Sequence, residues 1–205
     1  MGKTKVTYKR AFDLLALITS HILLAPLWLL LWTFIPLLIK LGDGGPVFYS
    51  QNRAGKDNKP FVYRKFRTMV QNADDIGTAW TVSNDPRITP IGKRLRQTAL
   101  DELPGVLSIW LGDMSLVGPR ALPCLEQEVL EKEIEGFRDR LQIVPGLTGL
   151  SQVYNKEDEN LLKLRLDKEY IDTMNIIMDA KLIFLSVKNT ILARWDGREG
   201  KVIVK

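Results

Sequence analysis

The stretch LLALITSHILLAPLWLLLWTFIPLLI, residues 14–39, carries no Asp, Glu, Lys or Arg. At ~1.5 Å per residue a helix of this length crosses the ~30 Å hydrocarbon core of a bilayer, so the segment reads as membrane-embedded. Two features argue against a plain spanning helix. Pro26 stands near the middle, where it removes a backbone hydrogen bond and clashes with the preceding turn, leaving two arms too short to cross alone. Basic residues flank both ends: Lys3, Lys5, Lys9 and Arg10 before it, and Lys40, Arg53, Lys56, Lys59, Arg64, Lys65 and Arg67 after it. With no charge gradient between the flanks, the positive-inside rule favours a hairpin that enters and leaves one leaflet from the cytoplasmic face. Trp28 and Trp32 suit interfacial anchors and plain lipid or core contacts equally. A cleaved signal peptide is disfavoured, because the run is long and has no clear small-x-small site.

The remainder has the make-up of a folded protein. Of 205 residues, 45% are hydrophobic and 26% charged, enough for one domain with a real core. Twenty-nine Lys and Arg against 24 Asp and Glu give a net charge of +5, which favours anionic partners. The single cysteine, Cys124, excludes an internal disulfide and is compatible with a reducing compartment. With one histidine, His21, inside the apolar run, Ser-His-Asp, Cys-His and zinc chemistries lack parts. What remains is carboxylate chemistry, which suits a hard divalent cation and phosphorylated substrates.

Gly42 to Pro46 breaks the apolar pattern as an exit turn. Val47 to Gln51 and Phe61 to Phe66 read as strands around the polar, glycine-containing loop Arg53 to Lys59, a β-hairpin. Lys56 and Lys59 fit a solvated basic hairpin, whereas Lys65 and Arg67 end a strand where a cation can reach a ligand phosphate. Asn84 to Arg87 is a turn. Thr89 to Thr98 has helical spacing with Lys93, Arg94 and Arg96 on one cationic face. Leu122 to Leu141 is an amphipathic helix or pair of helices interrupted near Gly136. Pro145 to Leu150 reads as a sharp, turn-rich loop, with glycines that would also admit a phosphate. Glu157 to Thr173 is helical, with i, i+4 pairs such as Glu159 with Lys163. Ile176 to Trp195 is apolar but contains Asp179, Lys181 and Lys188, which favours an interfacial or buried helix over a spanning one. Asp196 to Lys205 is a polar tail. No internal repeat or linker divides the chain.

The carboxylates that stand out are Asp101 and Glu102, in a run continuing through Leu103-Pro104-Gly105 to Gly112-Asp113-Met114-Ser115-Leu116-Val117-Gly118-Pro119-Arg120. Neighbouring helical residues point about 100° apart, so the two need different roles. One carboxylate can attack phosphorus while the other acts as base or holds a metal ion; Arg96, Arg120 and Lys65 are placed to neutralise phosphate charge. Taken alone, Asp-Glu-Leu-Pro at a helix start is usually just negative charge placed favourably against the helix dipole, and bare spacing favours that reading.

Four segments together resemble the monotopic phosphoglycosyl transferases, the bacterial sugar transferase family, in its small PglC-like form: Lys65-Phe66-Arg67-Thr68-Met69, Leu100 to Pro104, Gly112 to Arg120 and Pro145 to Gly149. The resemblance runs in order from the membrane segment to about Leu192. It implies transfer of sugar-1-phosphate from a UDP-sugar to polyprenyl (undecaprenyl) phosphate, releasing UMP, by a ping-pong mechanism. Asp101 would be the nucleophile and Glu102 its partner, with Mg2+ bound at both; Arg96 and Arg120 would contact phosphate. The membrane helix would be re-entrant, broken at Ala25-Pro26, where the family commonly has Ser-Pro. Pro119-Arg120-Ala121 lacks the family's second proline, and Gly105, Ser108 and Leu111 stand where glutamine, asparagine and lysine are usual.

The expected architecture is α+β and mostly helical. Residues 1–41 form a re-entrant helix-break-helix and residues 42–205 a catalytic domain at the membrane interface, integrated with it as one functional unit. A small β-hairpin and amphipathic interfacial helices would surround an active site on the cytoplasmic face of the bacterial inner membrane, in the family's minimal form. The competing readings are a non-catalytic membrane-surface scaffold and a phosphohydrolase of nucleotide sugars or lipid phosphates. Nucleic acid is the weakest partner, since no aromatic platform is interleaved with the basic residues.

Overall fold

The computed structural model describes residues 8–73, 75–76 and 85–195. Lys3, Lys5, Asn84 and the polar tail from Asp196 lie outside the described residues.

The apolar run forms two helices, α1 (Lys9–Leu23) and α2 (Ala25–Asp43). The interruption is Leu24, with φ −110° and ψ 23°, rather than Pro26 itself. Pro26 falls in the first turn of α2, where its missing N–H belongs to the set that has no intrahelical acceptor in any case. Bonds from Leu24 N to Ser20 O and Trp28 N to Leu24 O, both 2.9 Å, continue on either side. Pro36 lies inside α2 without ending it. By length and composition α2 is able to cross a membrane.

Gly44, in the left-handed region at φ 72°, stops α2. The hairpin follows as β1 (Phe48–Ala54) and β2 (Pro60–Phe66), antiparallel, with Arg53 opposite Phe61, Gln51 opposite Tyr63 and Tyr49 opposite Lys65. Since side chains alternate along a strand, these six residues share one face. Next come α3 (Pro90–Thr98), capped by Thr89 Oγ1 accepting from Gly92 N at 3.0 Å, a 3-10 turn (Leu100–Gly105) and α4 (Val106–Leu111).

A second sheet was not foreseen. β3 (Ser115–Val117) pairs in parallel with β4 (Gly146–Thr148), bracketing α5 (Cys124–Glu133) and a 3-10 turn (Phe137–Gln142) that follows Gly136 at φ 75°. The Pro145 to Leu150 segment is therefore a strand entering a helix, and its glycines serve backbone approach: a Cβ on Gly146 or Gly149 would overlap the backbone of Gly118. Three-residue strands are too short for an alternating pattern to register. The chain ends in α6 (Leu150–Tyr154), α7 (Asn160–Thr173) and α8 (Ile176–Ile191). Ile177, Phe184, Val187 and Ile191 of α8 are exposed.

Both helices of the apolar run are built into the core. Leu17 of α1 packs with Phe61, Tyr63, Val106, Ile109, Met114 and Ala121. Ile35 and Ile39 of α2 pack with Phe66 and Leu95. Polar ties reinforce α1: Lys9 Nζ donates to Asp179 at 2.9 Å and to Tyr170 Oη at 2.8 Å, and Asp13 accepts from Leu116 N at 3.1 Å. Lys163, expected to pair with Glu159, is buried and pairs with Asp158 at 3.1 Å. Asp158 sits at φ 55° just before α7, a left-handed position outside the helical i, i+4 geometry that suggested Glu159.

Candidate active site

Ala99, at φ 53°, turns the chain out of α3 into the 3-10 segment that carries Asp101 and Glu102. This segment lies against β2, and the shared face of the hairpin supplies Arg53, Tyr63 and Lys65. Arg120 comes from the loop after β3. A cavity of about 1740 Å³ is lined by Asp101, Glu102, Lys65, Arg96, Arg120 and Arg53 among others.

Glu102 is gripped on both oxygens. Arg120 Nη2 donates to Oε1 at 3.0 Å and Tyr63 Oη donates to Oε2 at 3.3 Å. Arg120 is held from behind, because its carbonyl accepts from Arg140 Nη2 at 2.7 Å. Arg140 is fully buried, with Nε and Nη2 on Asp167 Oδ2 at 2.9 and 2.7 Å and Nη1 on Gln127 at 3.1 Å; Ser151 Oγ donates to the other Asp167 oxygen at 2.7 Å. On the other side, Arg53 lies 4.3 Å from the Tyr63 ring centroid and donates to Ala121 O at 3.0 Å. That contact, together with Ala54 N to Leu122 O at 2.9 Å, anchors the loop in which Ala121 replaces the expected proline. Arg96 Nε donates to Thr68 Oγ1 at 2.9 Å.

The electrostatics follow from crowding two carboxylates among cations. Burial, and then the charge of Glu102, push the Asp101 carboxyl up to about 6 against Lys65, Arg96 and Arg120. Glu102 holds the Arg120 guanidinium well above its usual range. Burial lowers the Lys65 ammonium to about 8, opposed by Asp101, and raises the Tyr63 phenol, as the charge of Glu102 also does. A buried carboxylate faced by cations is an arrangement able to serve a nucleophile toward phosphorus.

The structure thus brings Asp101, Glu102, Lys65, Arg96 and Arg120 together. Arg67 also borders the cavity, but its guanidinium pairs with Asp43 at the end of α2 and packs on Gly45, which ties α2 to the hairpin. Ala25 and Pro26, expected at the helix break, lie in the first turn of α2, directly after the interruption at Leu24. Arg53 and Tyr63 were not picked out as site residues; the period-2 alternation that places them on the face of Lys65 was the available signal.

Among the described residues no group of three or more His, Cys, Asp or Glu side chains comes together. Two carboxylates still fit magnesium, which keeps several waters and takes substrate phosphates rather than a full protein cage.

A family model described as bacterial sugar transferase matches residues 4–193. The chain is 38% identical over 198 residues to an undecaprenyl-phosphate glucose phosphotransferase of Komagataeibacter xylinus, covering 91% of this chain and 36% of that protein. It is 39% identical over 189 residues to the exopolysaccharide production protein PSS of Rhizobium leguminosarum bv. phaseoli, covering 87% and 92%. To the UDP-glucose:undecaprenyl-phosphate glucose-1-phosphate transferase of Escherichia coli K12 it is 36% identical over 185 residues, covering 87% and 39%. The chain therefore spans little more than a third of two of these relatives and nearly all of the other.

Proposed function

The chain belongs to the bacterial sugar transferase family, and on that premise we propose that it transfers sugar-1-phosphate from a UDP-sugar to undecaprenyl phosphate through a covalent intermediate on Asp101. The observation that carries this reading is a buried carboxylate with raised proton affinity, faced by Lys65, Arg96 and Arg120 in a cavity large enough for two substrates. The names of the relatives support the donor and acceptor classes.

In the first step an Asp101 oxygen bonds to the phosphorus that bears the sugar, and the bond from that phosphorus to the bridging oxygen breaks. UMP leaves with the electron pair, its new charge met by the surrounding cations. In the second step an oxygen of undecaprenyl phosphate attacks the same phosphorus, and Asp101 leaves as a carboxylate. Glu102, fixed by Tyr63 and Arg120, orients Arg120 toward the phosphates. Magnesium, held by Asp101 and Glu102 with the diphosphate, would supply charge neutralisation there.

A panel of UDP-sugars incubated with detergent-solubilised protein and undecaprenyl phosphate tests this through UMP release. No UMP with any sugar overturns the reading; full turnover without the lipid phosphate turns it into a hydrolase. Lys65 adds a pH dependence. Its folded value is depressed from 10.5 to about 8, so its positive charge is present below pH 8 and lost above it. kcat/KM for the UDP-sugar should fall above pH 8, and Lys65→Arg, which stays charged, should remove that alkaline limb.

The membrane segment is proposed to be re-entrant in the inner leaflet, with the catalytic domain on the cytoplasmic face. Laid end to end, helices of 15 and 19 residues extend about 50 Å, yet Lys9 and Asp13 near the outer end of α1 and Ile35 and Ile39 near that of α2 are all tied to the rest of the fold. His21 and Trp28 stack with centroids 4.2 Å apart. Seven residues rise about 10 Å in a straight helix, and side chains lean the same way along it, so the stack fits a chain bent toward that face. In a Cys124→Ser background, Ala11→Cys and Gly42→Cys should both label only from the cytoplasmic side. Labelling from opposite sides would restore a spanning helix.

A further inference from the structure

The role of Gly105 is not conformational. Its φ of −58° and ψ of −21° are ordinary helical values that any residue adopts. What singles it out is space: a Cβ there would lie 2.5 Å from Tyr63 Oη and 2.7 Å and 2.9 Å from Cε2 and Cζ of the same ring. Tyr63 has nowhere to retreat. It is 1% exposed, packed within the cluster that contains Leu17, Val106 and Ile109, covered by the Arg53 guanidinium at 4.3 Å, and met edge-on by Phe61 at 6.4 Å and 84°. Its hydroxyl emerges from this setting at one point, where it donates to Glu102 Oε2.

We propose that Tyr63 is the positioning residue of Glu102, and that Gly105 is the vacancy that lets its phenol reach that carboxylate. The proposal rests on the transferase reading for its effect on catalysis, but the contact itself is independent of it. Donors on both oxygens, Arg120 on Oε1 and Tyr63 on Oε2, restrain rotation of the Glu102 carboxylate and set the plane in which it faces Asp101 and the substrate phosphates. Arg53 fixes the ring, and through Ala121 fixes the loop of Arg120, so one cation steadies both donors. Tyr63 acts through Glu102 and need not touch substrate.

The test is a double-mutant cycle of Tyr63→Phe with Glu102→Gln in the full chain, using the UDP-sugar found active above and undecaprenyl phosphate. Tyr63→Phe keeps the ring and removes the donor. It should lower kcat about tenfold with KM for the UDP-sugar little changed, the size expected for one hydrogen bond to a charged group. In the Glu102→Gln background it should lower kcat no further. Gly105→Ala should reproduce the Tyr63→Phe loss by displacing the phenol. An unchanged kcat in Tyr63→Phe, an equal loss in both backgrounds, or full activity in Gly105→Ala would overturn the proposal. The same cycle read by thermal melting should be non-additive whether or not UMP is released. Additive melting shifts would overturn the contact, whereas coupled melting without UMP would overturn only the transferase reading.

Discussion

Asp101→Asn should abolish transfer and stabilise the protein. Asparagine cannot bond to phosphorus as a carboxylate does, so UMP release should fall by at least about 10³-fold, in the range lost when a covalent nucleophile is removed. The phosphosugar adduct, seen as a mass increase on the Asp101 peptide of the native chain, should vanish with it. Retained turnover in the variant would remove Asp101 from the mechanism and point to a different nucleophile. The stability change has its own sign. In the fold Asp101 holds its proton to about pH 6, against 3.8 for the ordinary side chain. The native state therefore binds more protons than the unfolded state between those values, and its stability falls as pH rises through that window. Asparagine has no charge to desolvate. In metal-free buffer the variant should melt higher than the native chain above pH 6, with the advantage fading as pH falls below the ordinary value. Activity kept at the expense of stability is the usual signature of a functional buried charge.

Asp167→Ala should have the largest effect on folding. Asp167 and Arg140 are 1% and 0% exposed, and removing one partner leaves the other charge uncompensated, at about 3–5 kcal/mol. Activity should fall too, because the bond from Arg140 to the Arg120 carbonyl depends on a positioned guanidinium. The paired replacement Arg140→Met with Asp167→Leu, which leaves no buried charge, should recover much of the stability but not the activity. Chemical denaturation of the three variants measures this. A loss under about 1 kcal/mol for Asp167→Ala, as for an exposed pair, would show that the ion pair is solvated.

Much of the architecture was legible because its signals are local. The charge-free run, the hairpin, the capped α3, the break at Gly136 and the apolar α8 each follow from period, turn residues or composition within one short window. The break in the membrane segment was legible to within two residues; its placement at Leu24 reflects the ease with which Pro26 occupies a first helical turn. The β3–β4 pair was not legible, since Ser115 and Gly146 meet in register only through the parallel alignment of distant segments. The same holds for Lys163 and Asp158, whose pairing depends on a left-handed residue before α7.

At the active site the division is sharper. By itself the amino-acid sequence, with one histidine, one cysteine, adjacent carboxylates and an excess of cations, left Asp101 and Glu102 as candidates for carboxylate chemistry, and it was the resemblance of four segments to a known family that pointed to phosphoryl transfer there. The sequence also showed that these carboxylates share the chain with an apolar run long enough to enter a membrane. Only the tertiary structure decided which cations meet the carboxylates. It sent Arg67 to Asp43, brought Arg120 onto Glu102, and put Tyr63 and Arg53 behind the dyad. The reason is physical. Hydrophobic period encodes which face of an element is buried, and a buried polar group must then find a partner, but the partner is set by which elements pack together. For Tyr63 and Glu102 it is set also by the space a glycine leaves.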